Sequence, residues 1–198
     1  MIFRLFRRSS AVSIDALYGA IVAQARRPVF YAGFATPDTV EGRFDLLVLH
    51  VVLVLRRLRL GAEGQGREQG NEQRRAQQPE PAQALFDAFC RDLDHNLREM
   101  GVGDLSVPKQ MKRLGEAFYG RQRAYEEALA DDDPARLAAA IQRNVFSGGG
   151  PHAERLADYA RSAAALLDAT DVAAIAQGRL AFPDPDAILG DVAQRATE

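Results

Sequence analysis

The sequence predicts an all-α fold, a single helical domain of about six to eight helices with a mobile loop and an alanine-rich C-terminal extension. Apolar residues recur three or four positions apart along most of the chain, whereas the two-residue alternation typical of strands is scarce. The 198 residues are 47% hydrophobic and 26% charged, which is ordinary for a globular protein and sufficient for one main core.

The first helix is predicted from Ser13 to about Arg26. Ser13 is a favourable N-cap, apolar side chains follow at helical spacing, and Pro28 stops the helix because it lacks an N–H donor. The next stretch, VFYAGFATP, predicts an irregular segment whose three aromatic side chains pack over the core: Phe30, Tyr31 and Phe34.

A second helix is predicted from Asp38 to about Leu60. Asp38 and Glu41 have the spacing of a capping box, in which each side chain bonds a backbone N–H at the helix start. The apolar run at 44–55 is interrupted by His50, and it is shorter than the roughly 20 residues that a membrane span needs. We therefore expect a helix buried in protein.

Residues 61–81 predict a mobile loop after this helix. The segment contains four glycines, five glutamines and no apolar side chain larger than alanine. Such a composition cannot bury enough apolar surface to offset the entropy lost on ordering.

The two clearest helical patterns cover 82–100 and 106–129. Each carries one apolar stripe with residues three or four positions apart, as the helical period requires. The stripe residues are Leu85, Phe89, Leu93, Leu97 and Met100 in the first helix, and Val107, Met111, Leu114, Phe118, Tyr125 and Leu129 in the second.

Between these helices, NLREMGVGDLSVPKQM predicts a sharp corner. Gly101 can adopt the left-handed conformation that ends a helix, and Gly103 permits a second turn where a side chain would be unfavourable. Charged residues of both signs cluster at this corner: Arg98, Glu99, Asp104, Lys109, Lys112 and Arg113. Mixed charges favour specific protein contact over nucleic acid, although an interhelix hinge without a partner is the open alternative.

The remainder of the chain is rich in alanine and predicts shorter helices at 134–146, 151–167 and 186–196. We therefore divide the sequence into three parts: a basic and apolar N-terminal segment (1–12), a helical domain (13–146) and a C-terminal helical extension (147–198).

The N-terminal segment, MIFRLFRRSS, places Arg4, Arg7 and Arg8 among four apolar residues. Two interpretations stay open: a cationic amphipathic element that weakly touches an anionic membrane surface, or a terminus that packs Phe3 or Phe6 on the body. The apolar run is too short for a signal peptide, so we expect a cytoplasmic location.

Most catalytic signatures are missing from the sequence. It has no phosphate-binding glycine loop, no GxSxG, no HExxH and a single cysteine, Cys90, which we expect to be a buried apolar residue in a reducing compartment. The net charge of −2 gives no indication of sequence-specific nucleic-acid binding.

Two histidine-containing sets are the candidate metal or haem ligands. Asp92, His95 and Glu99 share one helix face and could bind a metal, but a solvated face with ion pairs four residues apart is the simpler interpretation. His50 lies within an apolar helix, where a hydrogen-bonded core histidine is the alternative to a haem or metal ligand. We expect no cofactor.

Two long stretches carry a family resemblance: YGAIVAQARRPVFYAGFATPDTVEGRFDLLVLHVVLVLRRL (18–58) and QALFDAFCRDLDHNLREMGVGDLSVPKQMKRLGEAFYGRQRAYEEAL (83–129). They closely resemble the ubiquinol-cytochrome c chaperone family, and LREMGVGDLSVPK is the most specific part. The resemblance implies a non-enzymatic assembly factor for the cytochrome bc1 complex that binds cytochrome b or another bc1 subunit.

The resemblance further implies a bacterial relative at the cytoplasmic face of the inner membrane, since the sequence shows no convincing transit peptide. Mitochondrial members bind newly made cytochrome b close to the ribosome and work with a small partner protein. Whether this chain needs either stays open.

A helical groove that shelters an apolar client segment would suit this function. We expect it between the Phe30 to Phe34 segment, the second helix and the corner, with Arg43, Arg98, Asp104 and Lys109 at its rim. The predicted partner-binding residues are Phe30, Tyr31, Phe34, Arg43, Arg98, Glu99, Gly101, Gly103, Asp104, Lys109, Lys112 and Arg113.

Overall fold

The computed structural model describes residues 3–66, 81–146 and 152–195, and side chains within 14–62, 81–146 and 152–190. Across these residues all regular secondary structure is helical, which confirms the predicted all-α class. The helices are α1 (Phe3–Ala25), α2 (Val29–Ala32), α3 (Val40–Gly66), α4 (Pro81–Glu99), α5 (Val107–Leu129), α6 (Pro134–Asn144), α7 (His152–Asp168), α8 (Val172–Ala176) and α9 (Pro185–Arg195).

The first and third helices are longer than the sequence predicts. Helix α1 begins at Phe3 instead of Ser13, so most of the predicted N-terminal segment is part of this helix. Helix α3 continues to Gly66, so the first residues of the predicted loop at 61–81 are helical. Residues 67–80 of that loop lie outside the described residues, as do the glycine-rich residues 147–151, and Pro81 already belongs to the next helix.

The segment around α2 and the start of α3 also differs from the prediction. One helical turn, α2, replaces part of the expected irregular segment. At the start of α3, the Gly42 N–H donates to Oγ1 of Thr39 at 3.1 Å. The Asp38 carboxylate instead accepts from Nε of Arg43 at 2.7 Å, so Thr39 occupies the capping position that we predicted for Asp38.

By its internal contacts the chain divides into two compact units, each assembled from three separate segments. The first unit comprises Met1–Ala20, Leu55–Tyr119 and Thr170–Leu180; the second comprises Ile21–Val54, Gly120–Ala169 and Ala181–Glu198. The boundary that composition predicts after residue 146 does not coincide with any boundary of these units.

The first unit contains an aromatic cluster where α4 meets α5. The Phe86 ring centroid lies 5.1 Å from that of Phe118, and Phe89 lies 5.3 Å from Phe118. Phe89 and Phe118 are almost completely buried, as their stripe positions predict. The Tyr18 hydroxyl donates to the Asp92 carboxylate at 2.7 Å, which ties α1 to α4.

The second unit is organised around α7. This helix packs against α6 and α9, and its buried face includes Tyr159. Arg27 forms ion pairs with Asp184 at 2.9 Å and Asp186 at 2.8 Å, which connect the residues after α1 to the start of α9. Segments that are distant in sequence therefore complete one core.

No helix in the described part of the chain has both the length and the hydropathy of a membrane-spanning segment.

Candidate partner-binding surface

The corner between α4 and α5 begins with a helix termination at Gly101. This residue has φ of 81°, as predicted for the left-handed end of a helix. The Gly101 N–H donates to the Arg98 carbonyl at 3.0 Å, and the Val102 N–H donates to the Leu97 carbonyl at 3.0 Å. These bonds satisfy carbonyl groups at the end of α4 and fix the direction in which the chain leaves it.

The second half of the corner turns at Gly103 without special backbone geometry. The Ser106 and Val107 N–H groups both donate to the Gly103 carbonyl, at 2.7 Å and 3.2 Å. Gly103 is outside the left-handed region, and a Cβ atom placed on it would meet nothing within 4 Å. The expectation that a side chain would be unfavourable at Gly103 is therefore wrong.

An ion-pair network centred on Arg98 crosses the corner. The Arg98 guanidinium donates to the Asp94 carboxylate at 2.8 Å, one turn earlier in α4, and to the Asp104 carboxylate on the other side of the turn. The hydrogen bond from Arg98 lowers the pKa of Asp94. All three groups reach solvent, so the network organises an exposed surface.

Cations occupy the exposed face of the first two turns of α5. Lys112 lies 3.9 Å from Glu116, a loose ion pair. Lys109 and Arg113 are exposed and have no ion-pair partner within the described side chains. The predicted cluster of mixed charge is thus present, and two of its cations lack an ion-pair partner among the described side chains.

Two large apolar residues at the corner are exposed, which the sequence pattern does not indicate. Leu105 is 99% exposed and Met100 is 57% exposed. We placed Met100 on the buried stripe of α4, but that helix ends at Glu99, so the side chain leaves the stripe. The available signal for Leu105 was its position between two polar residues, away from both apolar stripes.

The predicted partner-binding residues before and within α3 have different environments. Phe30 and Phe34 are fully buried, with ring centroids 4.9 Å and 6.0 Å from Tyr159, so they cannot contact a partner in this structure. Tyr31 is half-buried and Arg43 is exposed, with the guanidinium 5.9 Å from the Tyr31 ring. Because Arg43 and the corner belong to different units, the predicted groove stays a prediction.

His50 is a buried, doubly hydrogen-bonded core residue. Its Nδ1 lies 2.7 Å from the Leu46 carbonyl, which can only accept, so Nδ1 carries the hydrogen. The Tyr159 hydroxyl then donates to Nε2 at 2.9 Å. Burial lowers the pKa of His50 to about 4, so the ring is neutral at physiological pH. With both nitrogens engaged, His50 has no free position for a metal or haem.

The second predicted ligand set is also engaged in other contacts. The Asp92 carboxylate accepts from Tyr18, and Nε2 of His95 lies 3.1 Å from the Glu99 carboxylate. Within the described residues, no group of three or more His, Cys, Asp or Glu side chains could hold a metal ion. His95 and Glu99 are exposed and pair four residues apart, as the solvated-face interpretation expects for these two residues.

Cys90 is only half-buried, which differs from the full burial that we expected. Partial burial, together with the charge of Asp87, raises the pKa of its thiol. A thiol with a raised pKa is a weak nucleophile at neutral pH.

The second unit also contains a buried ion pair and a surface cavity. Asp45 lies 2.7 Å from the Arg121 guanidinium. Burial raises the pKa of Asp45 to about 6, although Arg121 acts in the opposite direction. A cavity of about 500 Å³ lies between α6 and α7, and its lining consists of Pro134, Ala135, Ala138, Ala139, Gln142, Ala153, Glu154, Asp158 and Arg161.

Comparison with known proteins identifies a matching family and a similar solved structure. Residues 32–182 match the family model described as Ubiquinol-cytochrome C chaperone. A solved structure, the crystal structure of the Cbp3 homolog from Brucella abortus, is 39% identical and superposes with a TM-score of 0.75. The superposition covers 94% of this chain and 98% of the other chain.

Three relatives share the name ubiquinol-cytochrome c reductase complex assembly factor 1. The Drosophila melanogaster protein is 27% identical over 161 residues, which cover 79% of this chain and 58% of the relative. The Xenopus laevis protein is 24% identical, with 78% and 72% covered, and the human protein is 26% identical, with 77% and 47% covered. The aligned region thus spans only about half of the fruit-fly and human proteins.

Proposed function

Since this chain belongs to the ubiquinol-cytochrome c chaperone family, we propose that it acts as an assembly factor for the cytochrome bc1 complex. The family match over 32–182 is the observation that carries the proposal. The shared name of three relatives supports it, because each is called an assembly factor of ubiquinol-cytochrome c reductase.

The proposed activity is binding without catalysis. Several side chains that could serve as ligands or as acid and base are engaged in structural contacts: His50 with Tyr159, Asp92 with Tyr18, and His95 with Glu99. The corner instead presents charged groups on a fixed backbone, which suits recognition of another protein.

The proposed client is cytochrome b, met at the inner face of the cell membrane. The docking surface that we assign comprises Arg98, Glu99, Asp104, Lys109, Lys112 and Arg113, with Gly101 and Gly103 shaping the backbone beneath them. The half-buried Tyr31 and the exposed Arg43 lie together in the second unit, and their role in binding is part of the same proposal.

Gene deletion tests the proposed function directly. Cells lacking the gene should lose bc1 complex, seen as reduced cytochrome b haem absorbance and a weaker complex band on native gels. Expression of the unchanged chain should restore both. Normal amounts of bc1 complex in the deletion strain would contradict an assembly role.

Crosslinking tests the proposed client. An affinity-tagged chain is crosslinked in intact cells, and the attached proteins are identified by mass spectrometry. Recovery of cytochrome b supports the client assignment. Recovery of ribosomal proteins or of a small accessory protein alone would contradict it and direct the assembly role elsewhere.

A further inference from the structure

Leu105 is the most exposed large apolar residue in the described chain, at 99%. A side chain in full contact with water gains nothing from burial, so Leu105 contributes little to the stability of this protein. Met100, 57% exposed, lies at the other end of the same corner. The molecule thus presents two apolar side chains where its own fold does not require them.

The backbone beneath Leu105 is fixed on both sides. The Val102 N–H donates to the Leu97 carbonyl before it, and the Ser106 N–H donates to the Gly103 carbonyl around it. The ion pair between Arg98 and Asp104 connects the end of α4 to the residue that precedes Leu105. A side chain on a fixed backbone loses little conformational entropy when it docks, which favours its use as an anchor.

The shape of this corner determines what can cover it. Leu105 protrudes into solvent, so this chain supplies a projection and its partner must supply the recess. Apolar anchors at protein interfaces contribute most when they fill such recesses and lose contact with water. The matching surface is therefore an apolar pocket on a folded partner.

The charges around Leu105 indicate the polarity of the pocket rim. Asp104 is paired with Arg98, and Glu99 lies beside His95, which is charged only when protonated. By contrast, Lys109 and Arg113 are exposed without an ion-pair partner among the described side chains. Complementarity then requires carboxylates on the partner.

We propose that Leu105, assisted by Met100, is the apolar anchor of the corner and inserts into an acid-rimmed apolar pocket of the bc1 client. Lys109 and Arg113 pair with the carboxylates of that rim. This inference rests on the proposed function for the identity of the partner. It adds Leu105 as the residue that makes the main apolar contact, and an apolar pocket with carboxylates at its rim as the surface that the partner must provide.

Co-purification with tagged cytochrome b, from membranes dissolved in mild detergent, tests the proposal. Leu105→Asp should lower the recovery of the chain by about tenfold, the size expected when an interface anchor is lost. Its fold should be unchanged, because the side chain is 99% exposed. Circular dichroism and the urea midpoint check this, and Leu105→Ser provides a variant without added charge.

Matched controls separate the anchor from general surface effects. Val40 is 64% exposed in the second unit, so Val40→Ser removes an exposed apolar side chain elsewhere. Arg179→Glu reverses an exposed charge in the segment that follows α8. Both controls should retain full recovery. The double variant Lys109→Glu and Arg113→Glu should be recovered less well with cytochrome b. Added salt should lower the recovery of the unchanged chain, because it screens the ion pairs, but should have little effect on the recovery of the double variant.

The outcomes distinguish failure of the proposed anchor from failure of the proposed function. Recovery of cytochrome b that survives Leu105→Asp overturns the anchor alone and leaves the assembly role standing. Failure of the unchanged chain to recover cytochrome b overturns both. A third measurement is sedimentation with vesicles of phosphatidylcholine and phosphatidylglycerol. Binding to these vesicles that depends on Leu105 would show that this residue contacts lipid, and it would overturn the proposal of a pocket on a protein partner.

Discussion

The Tyr159 hydroxyl donates a hydrogen bond to Nε2 of His50 at 2.9 Å, and both groups are buried in the second unit. The same hydroxyl oxygen accepts from the Gln24 amide at 3.0 Å, while Nδ1 of His50 donates to the Leu46 carbonyl. The rings of Phe30 and Phe182 pack edge-on against His50. One continuous chain of hydrogen bonds therefore crosses an aromatic core.

Tyr159→Phe should lower the free energy of unfolding by about 1–3 kcal/mol, because it leaves Nε2 of His50 buried without a donor. Urea denaturation at neutral pH measures the change. Tyr119→Phe is the matched control, since Tyr119 is 57% exposed. It should change the stability by less than about 0.5 kcal/mol. Equal effects of the two substitutions would contradict the importance of the buried bond.

His50 should make the protein less stable in mild acid. Burial lowers the pKa of His50 to about 4 from an ordinary 6.5. Between these two pH values the histidine is protonated in the unfolded chain and neutral in the folded chain. This effect removes up to about 3 kcal/mol of stability as the pH falls from 6.5 to 4. His50→Gln should abolish this component of the pH dependence, measured by urea denaturation across the range.

Asp45 should act in the opposite direction over nearly the same pH range. Its pKa is raised by burial to about 6 from an ordinary 3.8, so the folded chain takes up a proton before the unfolded chain does. Stability from this group therefore increases by up to about 3 kcal/mol as the pH falls from 6 to 4. In the unchanged chain the two titrations should largely cancel.

Asp45→Asn should make the contribution of His50 to the pH dependence of stability measurable. The variant loses the stabilising protonation of Asp45, so its stability should fall more steeply on acidification than that of the unchanged chain. The absolute stability at pH 7 also changes, because Arg121 loses its counter-ion. The slope against pH is consequently the informative quantity. Parallel slopes in the two proteins would rule out the raised pKa of Asp45.

The two corner glycines should respond differently to alanine. Gly101 has φ of 81°, where a side chain is strained, so Gly101→Ala should destabilise the protein by about 1–2 kcal/mol. Gly103 has room for a Cβ atom, so Gly103→Ala should be neutral or slightly stabilising. Thermal or urea denaturation of the pair provides the comparison. A larger loss at Gly103 would show that the corner is more constrained than its geometry indicates.

Local signals in the sequence predicted α4, α5 and α6 closely. The apolar stripes of α4 and α5 indicate their extents, and the three consecutive aspartates before Pro134 indicate the start of α6. The structure shows that the Asp133 carboxylate accepts from the Ala135 N–H at 2.9 Å. These features depend on residues within one or two turns of each other. Periodicity and capping are therefore sufficient to locate them.

The environments of individual residues were harder to predict. The contact of His50 with Tyr159 joins positions 109 residues apart, and no local pattern specifies such a pair. Phe30 and Phe34 pack in the core as their aromatic character suggests, but the sequence did not show that this removes them from the surface. Leu105 was missed because the helical period does not apply within a turn.

The order of segments in the second unit affects when it can form during translation. Gln24 bonds a residue 135 positions later, and Arg27 bonds one 159 positions later. The most apolar part of α3 is made long before Tyr159 of α7 and Phe182 exist to pack against His50. A nascent chain must therefore hold this part of α3 without these partners until almost all of the polypeptide has been made, and a product that terminates before Asp184 would lack both ion-pair partners of Arg27.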